Sequence, residues 1–400
     1  LAGGVAGSMV SPQAAAEWEA EKYLVIPVGQ ITLRPTLEVA ETVDSNIFYS
    51  ETDTQADLIT NVRPGLSMVY GSREENFISI AYQFDASMYL ERDDLNTTGH
   101  RFSHLSRFKV SRLSIEGDDR FVESRTLLGG TFSYIERPVG QISLADNWKV
   151  DYELSAKALV GIRAFFDYVD YDAEDLEPYH LYDYMAYGGG ARVGYRPSDK
   201  ITLFPEVTVG RSELEPNSSR ALEAPNLMAY SFGAGAEGEF TPKLSGLVSG
   251  GYEMREYSDG SEIPAGWTAT FTLRWQARPK TTVQLGYRHW VQVSREAVAY
   301  AAESHRPVAS VIQEFGTQGR WTASLDAYYQ FDDYSNEVLI NGVPTAREND
   351  MYGASLRARY RWRTWLTTMA SYDFFTYGDN IPTIPDYEVH RFTLRMVAGY

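Results

Sequence analysis

The chain has 400 residues, no cysteine and a formal net charge of -18 at pH 7. This acidic balance argues against binding to nucleic acid or to an anionic membrane surface, and the absence of cysteine excludes a disulfide scaffold and thiol chemistry. Aromatic residues make up 14% of the chain, which favours contact with a membrane–water boundary. No run of about 18 apolar residues occurs, so no membrane-spanning helix is predicted.

The first residues are small and apolar and lead into Ala14-Ala15-Ala16, an A-x-A-like cleavage site without the basic start of a complete signal. A flexible N-terminus rich in small residues is the alternative interpretation. We predict a signal-peptide remnant at residues 1–16, a periplasmic segment at 17–30 and an outer-membrane barrel at 31–400.

From Ile31 onward the sequence repeats an alternating strand, a short turn, a second alternating strand and a longer polar loop. The short turns at Pro197–Lys200, Thr241–Leu244, Arg278–Thr281 and Thr317–Arg320 recur roughly every 40 residues, as an up-and-down barrel requires. Arg125–Leu144 and Ser335–Asn349 are predicted to be long loops, because they carry the turn formers Gly, Pro, Asn and Asp.

The last stretch, Tyr387–Tyr400, alternates in the same way and ends on an aromatic residue. Its apolar face carries Phe392, Leu394 and Met396, and a terminal aromatic of this kind resembles the signal read by the outer-membrane assembly machinery. The sequence therefore predicts an all-β protein, a transmembrane up-and-down antiparallel β-barrel of about 18 strands. A soluble sandwich or propeller would have shorter strands and no difference in length between loops and turns.

Residues 31–49 and 56–70 contain more specific elements. Asp44-Ser45-Asn46-Ile47 matches a D-x-N-I element and Arg63-Pro64-Gly65-Leu66 a P-x-L strand, and both resemble the putative β-barrel porin 2 family. The resemblance is specific over about residues 31–124 and architectural beyond them. It implies a large outer-membrane barrel, and some members of that family are associated with exopolysaccharide secretion.

If the apolar faces of the strands point outward, the intervening polar residues should line the lumen. The predicted pore-lining residues are Arg34, Arg63, Arg101, Arg107, Lys109, Arg163, Asp167, Arg192, Glu206, Arg274, Arg288, Asp326, Tyr328, Arg357, Arg359, Arg361, Asp373, Arg391 and Arg395. Such a lumen suits a hydrated sugar polymer or mixed small solutes. The alternative is that these charges pair with one another and only stabilise the wall.

No catalytic motif is found, and His100 and His104 are about 13 Å apart along an extended strand, too far to bind one metal ion. We predict no enzyme activity, catalytic residue, metal or cofactor. The predicted function is a passive conduit for exopolysaccharide export across the outer membrane of a Gram-negative bacterium. A general or sugar-uptake porin and a structural or adhesive barrel with a closed lumen are the alternatives. The expected partners are outer-membrane lipid, a polysaccharide cargo, a periplasmic polysaccharide-export protein and the assembly machinery, with no nucleic acid.

Overall fold

The computed structural model describes residues 24–72, 76–129, 135–172, 182–216, 226–260, 265–293, 301–316, 319–340, 343–382 and 384–399. The predicted signal-peptide remnant and the terminal Tyr400 lie outside these residues. No helix among them is long and apolar enough to cross a membrane.

The described residues form one short strand and eighteen long ones. In chain order these are β1 Ile26–Val28, β2 Ile31–Asp44, β3 Asp57–Gly71, β4 Phe77–Tyr89, β5 Thr97–Val110, β6 Leu113–Thr126, β7 Val139–Ser155, β8 Ala158–Tyr171, β9 Tyr182–Ser198, β10 Ile201–Pro216, β11 Leu227–Thr241, β12 Leu244–Tyr257, β13 Gly266–Arg278, β14 Thr281–Val293, β15 Ala301–Phe315, β16 Trp321–Ile340, β17 Val343–Arg363, β18 Leu366–Asp379 and β19 Tyr387–Gly399.

Each long strand pairs antiparallel with the next, and the last closes on the first. At this seam β19 pairs with β2 from Arg391 opposite Asp44 to Gly399 opposite Thr36. The barrel therefore has eighteen strands and no open edge, which confirms the predicted fold class. Residues 24–30 of the predicted periplasmic segment are described, and Ile26–Val28 in β1 extends the sheet by pairing with the start of β2.

The alternating sequence pattern separates two faces of the wall. On β17 the outward side chains Tyr352, Leu356 and Trp362 are 47%, 55% and 54% exposed. Aromatic residues lie towards the ends of this outward face and aliphatic residues between them, as the lipid-facing band of a membrane barrel requires. Exposed apolar side chains on this scale would be costly in water, so the exposure itself indicates a surface that lipid covers.

The predicted boundaries of two loops are wrong. Ser335–Asn349 is not a loop, because β16 continues to Ile340 and β17 begins at Val343. The predicted loop Arg125–Leu144 is also shorter, because β7 begins at Val139. The β16–β17 extension is polar on both faces near Arg347, so the alternation of hydrophobic residues that marks the other strands is missing there. At the start of β7, Ile142 and Leu144 do alternate with Gln141 and Ser143, and the glycines and proline of the predicted loop concealed the strand.

The two ends of the barrel differ. One end, the short-turn end, carries two-residue turns such as Pro242-Lys243 and Pro279-Lys280. The other end, the loop end, carries the longer connections, and the first of them packs against the inner wall. Ile47 and Phe48 from the first loop are buried and pack against Leu95 and Leu127. The apolar core of the molecule is thus concentrated at the loop end.

Candidate pore-lining face and mouth

All nineteen residues predicted to line the pore lie on the face opposite the exposed apolar side chains. Their inward direction follows from the register: Gln83 opposes Arg101, Asp326 opposes Ser355, and Asp373 opposes Arg391, whereas Leu325 opposes Leu356 on the outer face. Most of them lie within reach of an opposite charge.

A chain of alternating charges crosses the seam. Arg395 Nε lies 3.3 Å from Glu38, and Glu38 accepts a 2.8 Å hydrogen bond from Arg63. Arg63 also donates to Asp85 at 2.9 Å, and Arg101 lies 3.2 Å from the same carboxylate. Five residues on five strands are therefore linked across the junction of the last strand with the first, which ties the closure together on the inner side.

A second network centres on Arg192, whose side chain is only 2% exposed. Its guanidinium donates to Asp151 at 2.7 Å and to Glu237 at 2.8 Å. Gly161 lies directly between Asp151 and Arg192 in the register, and a methyl group on it would overlap the Asp151 carboxylate. The glycine therefore lets two side chains meet across an intervening strand.

The arginine row on β17 divides into two parts. Arg357 lies 3.2 Å from Asp326 and 3.7 Å from Asp373, so both neighbouring lumen acids are engaged by this one residue. Arg359 and Arg361 follow towards the short-turn end, where the nearby acid is Glu314 on β15. Arg357 is thus engaged by two acids, and Arg359 and Arg361 continue the row of guanidinium groups along the same face.

Other predicted residues form local pairs or stacks. Arg163 lies 3.1 Å from Glu206, Arg107 lies 3.0 Å from Glu116, and Lys109 lies 3.6 Å from Glu153. The remaining inner-face members are Arg34, Asp167, Arg274, Arg288, which stacks on Trp290, and Tyr328, over which Arg306 lies.

The mouth at the loop end is organised by the D-x-N-I element. Asp44 accepts a 2.6 Å hydrogen bond from Arg391, and its other oxygen accepts the backbone N–H of Asn46 at 2.9 Å. The Asn46 side chain donates to the carbonyls of Ser50 and Glu388 at 2.7 and 3.2 Å. Because Glu388 belongs to β19, the first loop is fastened across the seam.

Tyr49 completes this anchor. It has a φ of 56°, in the left-handed region that non-glycine residues seldom adopt. Its hydroxyl accepts a hydrogen bond from Arg391 at 3.0 Å, and its ring packs against Tyr387 at 5.2 Å. The loop is therefore folded back onto the inner wall.

Sequence reasoning missed a buried ion pair beside the same mouth. Arg347 donates to Asp379 at 2.9 Å, and the two side chains are 2% and 0% exposed. Tyr334 stacks on the guanidinium at 4.4 Å, and Tyr377 donates its hydroxyl hydrogen to Asp379 at 2.9 Å. Arg347 falls within the predicted loop Ser335–Asn349, so the error in strand bounds concealed the pair.

Polar residues in the loops add a local charge pair at the rim. Arg92 donates to the Asp94 carboxylate at 2.7 Å, and this hydrogen bond lowers the pKa of Asp94 below its usual range. Arg92 also lies 4.7 Å from the centre of the Phe48 ring. The second loop therefore covers the first.

Solved structures with similar folds are outer-membrane barrels. The FrpB iron transporter from Neisseria meningitidis (F5-1 variant) is 11% identical with a TM-score of 0.49, covering 92% of this chain and 64% of its own. OccAB3 from Acinetobacter baumannii is 10% identical with a TM-score of 0.47, covering 93% and 100%. OpdK from Pseudomonas aeruginosa is 10% identical with a TM-score of 0.47, covering 92% and 99%. These likenesses concern the fold alone, and the chain spans less than two thirds of the FrpB structures.

No curated protein matches the chain. A family model described as "Putative beta-barrel porin 2" matches residues 181–398, which is more than half of the chain. The match lies in the second half of the barrel, beyond the N-terminal elements that carried the resemblance. The chain therefore belongs to this porin family and is a porin-like β-barrel of the Gram-negative outer membrane.

Proposed function

We propose that the barrel is a passive, non-catalytic conduit through which an exopolysaccharide leaves the cell. The observation that carries this proposal is the inner face, where guanidinium and carboxylate groups alternate in networks such as Arg395–Glu38–Arg63–Asp85. The exopolysaccharide association of the family that the N-terminal elements resemble supports the same reading.

A wall of paired charges suits a hydrated polymer. Guanidinium groups offer fixed hydrogen-bond donors to sugar hydroxyls and carboxylates, and the paired acids accept hydrogen bonds from the same hydroxyls. Because most charges on the wall are already paired, a moving polymer exchanges its hydrogen bonds with water for similar hydrogen bonds with the wall. No single site then binds the polymer tightly enough to stop its movement. Arg357, Arg359 and Arg361 place three guanidinium groups on one face of the wall, which favours polymers carrying uronate or pyruvate groups.

The short-turn end is the proposed entrance. Its described turns carry Arg112, Lys157, Lys200, Lys243, Lys280 and Arg320. We propose that this end faces the periplasm, where a periplasmic polysaccharide-export protein would deliver the polymer. Barrels of this class keep their short turns on that side.

The test compares a deletion strain with strains complemented by variants, and surface polysaccharide is stained. Loss of the gene should abolish staining, and Arg359→Glu with Arg361→Glu should reduce it while the barrel still assembles. Arg359→Lys with Arg361→Lys keeps the positive charge at the same two positions and is the matched control, with staining expected near wild type.

Two outcomes would replace the proposal. Unchanged polymer in the deletion strain would leave a general or sugar-uptake porin as the better function. The buried layer at the mouth, including Ile47 and Phe48, favours a second alternative, a structural or adhesive barrel with a closed lumen. Conductance of the purified protein in a planar bilayer separates this alternative, because a closed barrel carries no current.

A further inference from the structure

Three inner-face aromatic rings lie flat against the wall, each over a glycine directly opposite on the next strand. We call this arrangement a ring-on-glycine joint. The three joints are Phe165 over Gly188, Phe204 over Gly235 and Tyr328 over Gly353. A methyl group on these glycines would lie only 2.6, 2.7 and 2.7 Å from the ring, so only glycine leaves room for it.

The joint of Phe165 is the widest. Its Cζ would lie 3.0 Å from a methyl group on Gly210, which pairs with Gly188 one strand further along. The ring therefore extends across two neighbouring strands. Because Phe165 lies on the inner face and is partly exposed, its exposed part is directed to the lumen.

The three rings differ in what covers the lumen side. Arg192 and Arg163 lie 5.3 and 5.8 Å from the centre of the Phe204 ring, which is 2% exposed. Arg306 lies 5.2 Å from the centre of the Tyr328 ring. Over the Phe165 ring no guanidinium is found in the described part of the chain, and the residue is partly exposed. Of the three, Phe165 is thus the ring that a solute in the lumen can reach without displacing a guanidinium of the described residues.

Polar groups flank this open ring on the same face. Arg163 and Asp167 lie two positions away on either side along β8, and Arg163 is held 3.1 Å from Glu206. A pyranose ring has an apolar C–H face that packs on an aromatic ring, and its hydroxyls at the rim need donors and acceptors. A flat, open ring between a guanidinium and a carboxylate meets both needs.

We propose that Phe165 is a sugar-stacking platform in the lumen, with Arg163 and Asp167 binding the hydroxyls of the stacked sugar. The proposal rests on the proposed function as a polysaccharide conduit and assigns a position on the wall to the sugar contact. Gly188 and Gly210 belong to the platform because they let the ring lie flat.

The test is calorimetric titration of the purified, detergent-solubilised protein with maltohexaose, which needs no open pore. Phe165→Leu should weaken binding about tenfold, since the stacking contribution is lost, and Phe165→Tyr should bind as the wild type does. Tyr328→Leu removes an aromatic ring from a joint that Arg306 covers and should leave binding unchanged. Polyethylene glycol of similar length lacks a pyranose face and should not bind.

Equal binding by the wild type and by Phe165→Leu would overturn the proposal, as would the absence of maltohexaose binding to the wild type. Weakening by Tyr328→Leu as large as that by Phe165→Leu would show that the joints only support the wall. Heat-modifiable electrophoretic mobility verifies that each variant is folded. Export can fail in the polysaccharide staining while this binding result stands, so the two proposals are tested separately.

Discussion

Single glycines decide which polar contacts the inner wall can hold. Gly161 separates Asp151 from Arg192 in the register, and a side chain there would push the carboxylate away. Arg192 is nearly fully buried, so loss of the Asp151 contact would leave its guanidinium with Glu237 as the one remaining partner of this network. A residue without a side chain thus controls an ion pair between two others.

We expect Gly161→Ala to lower the free energy of unfolding by about 1–3 kcal/mol, because the Asp151–Arg192 contact must open. The measurement is the urea midpoint of the protein folded into lipid vesicles. Gly250→Ala is the control, since the nearest atom to its methyl group would be the Thr268 carbonyl oxygen at 3.6 Å. Equal urea midpoints for both variants would show that the Asp151–Arg192 contact contributes nothing to the free energy of unfolding.

At the scale of the strand, β19 carries the outward face that closes the barrel. Phe392, Leu394 and Met396 are each about half exposed, at 52%, 50% and 52%. Leu394→Arg should cost about 2–4 kcal/mol if the site lies near the midplane of the membrane, because a charge would enter hydrocarbon. Leu90→Arg, in a loop and 71% exposed, should cost little.

Heat-modifiable mobility after assembly in cells measures this difference. A folded fraction of Leu394→Arg equal to that of Leu90→Arg would contradict the lipid-facing assignment of β19. The prediction concerns the strand face and not the residue alone, since Thr393 beside it points inward and pairs with Thr42 at 3.0 Å.

The orientation of the turns and loops gives another prediction. Asp53→Cys in the first loop should react with an impermeant maleimide on intact cells, and Lys243→Cys in a short turn should not. Both positions are exposed, and the chain has no cysteine of its own to give background labelling. Labelling of Lys243→Cys alone would reverse the proposed orientation of the barrel.

Strand existence and face were predictable from the sequence because lipid imposes a strict alternation on the crossing residues. This is why Leu356 and Arg357 could be assigned to opposite faces. The extensions of β16 and β17 were not predictable, since both faces are polar near Arg347 and the alternation disappears. The ion-pair partners of each charged residue could not be predicted from the sequence either. Arg357 lies close to both Asp326 and Asp373 because of the strand register, and the pattern of a single strand does not determine that register.

At the scale of the whole molecule, charge is distributed unevenly along the barrel axis. The described short turns carry basic residues such as Arg112 and Lys157, and the first two loops carry acidic ones such as Glu51, Asp53 and Asp93. The field along the lumen is therefore asymmetric, and ions entering from the two ends meet different potentials.

We expect an open barrel to rectify current at low salt, about 0.1 M, and to conduct nearly symmetrically at about 1 M, where the screening length falls from about 10 to about 3 Å. Current–voltage curves of single channels in a planar bilayer measure this. Lys157→Glu with Lys243→Glu should weaken the rectification. A symmetric curve at low salt would show that the end charges do not act on the permeating ions.

The hydrogen bond from the Asn46 side chain to the Glu388 carbonyl has a consequence for the order of assembly. The two residues are separated by almost the whole chain, and they meet only after β19 has paired with β2. Local hairpins can form early, whereas contacts between distant chain positions must wait for closure. The first loop can therefore reach its final position only after β19 has paired with β2. Until the barrel has closed, the first loop cannot make its hydrogen bond to the Glu388 carbonyl, and formation of that bond would mark the completed barrel.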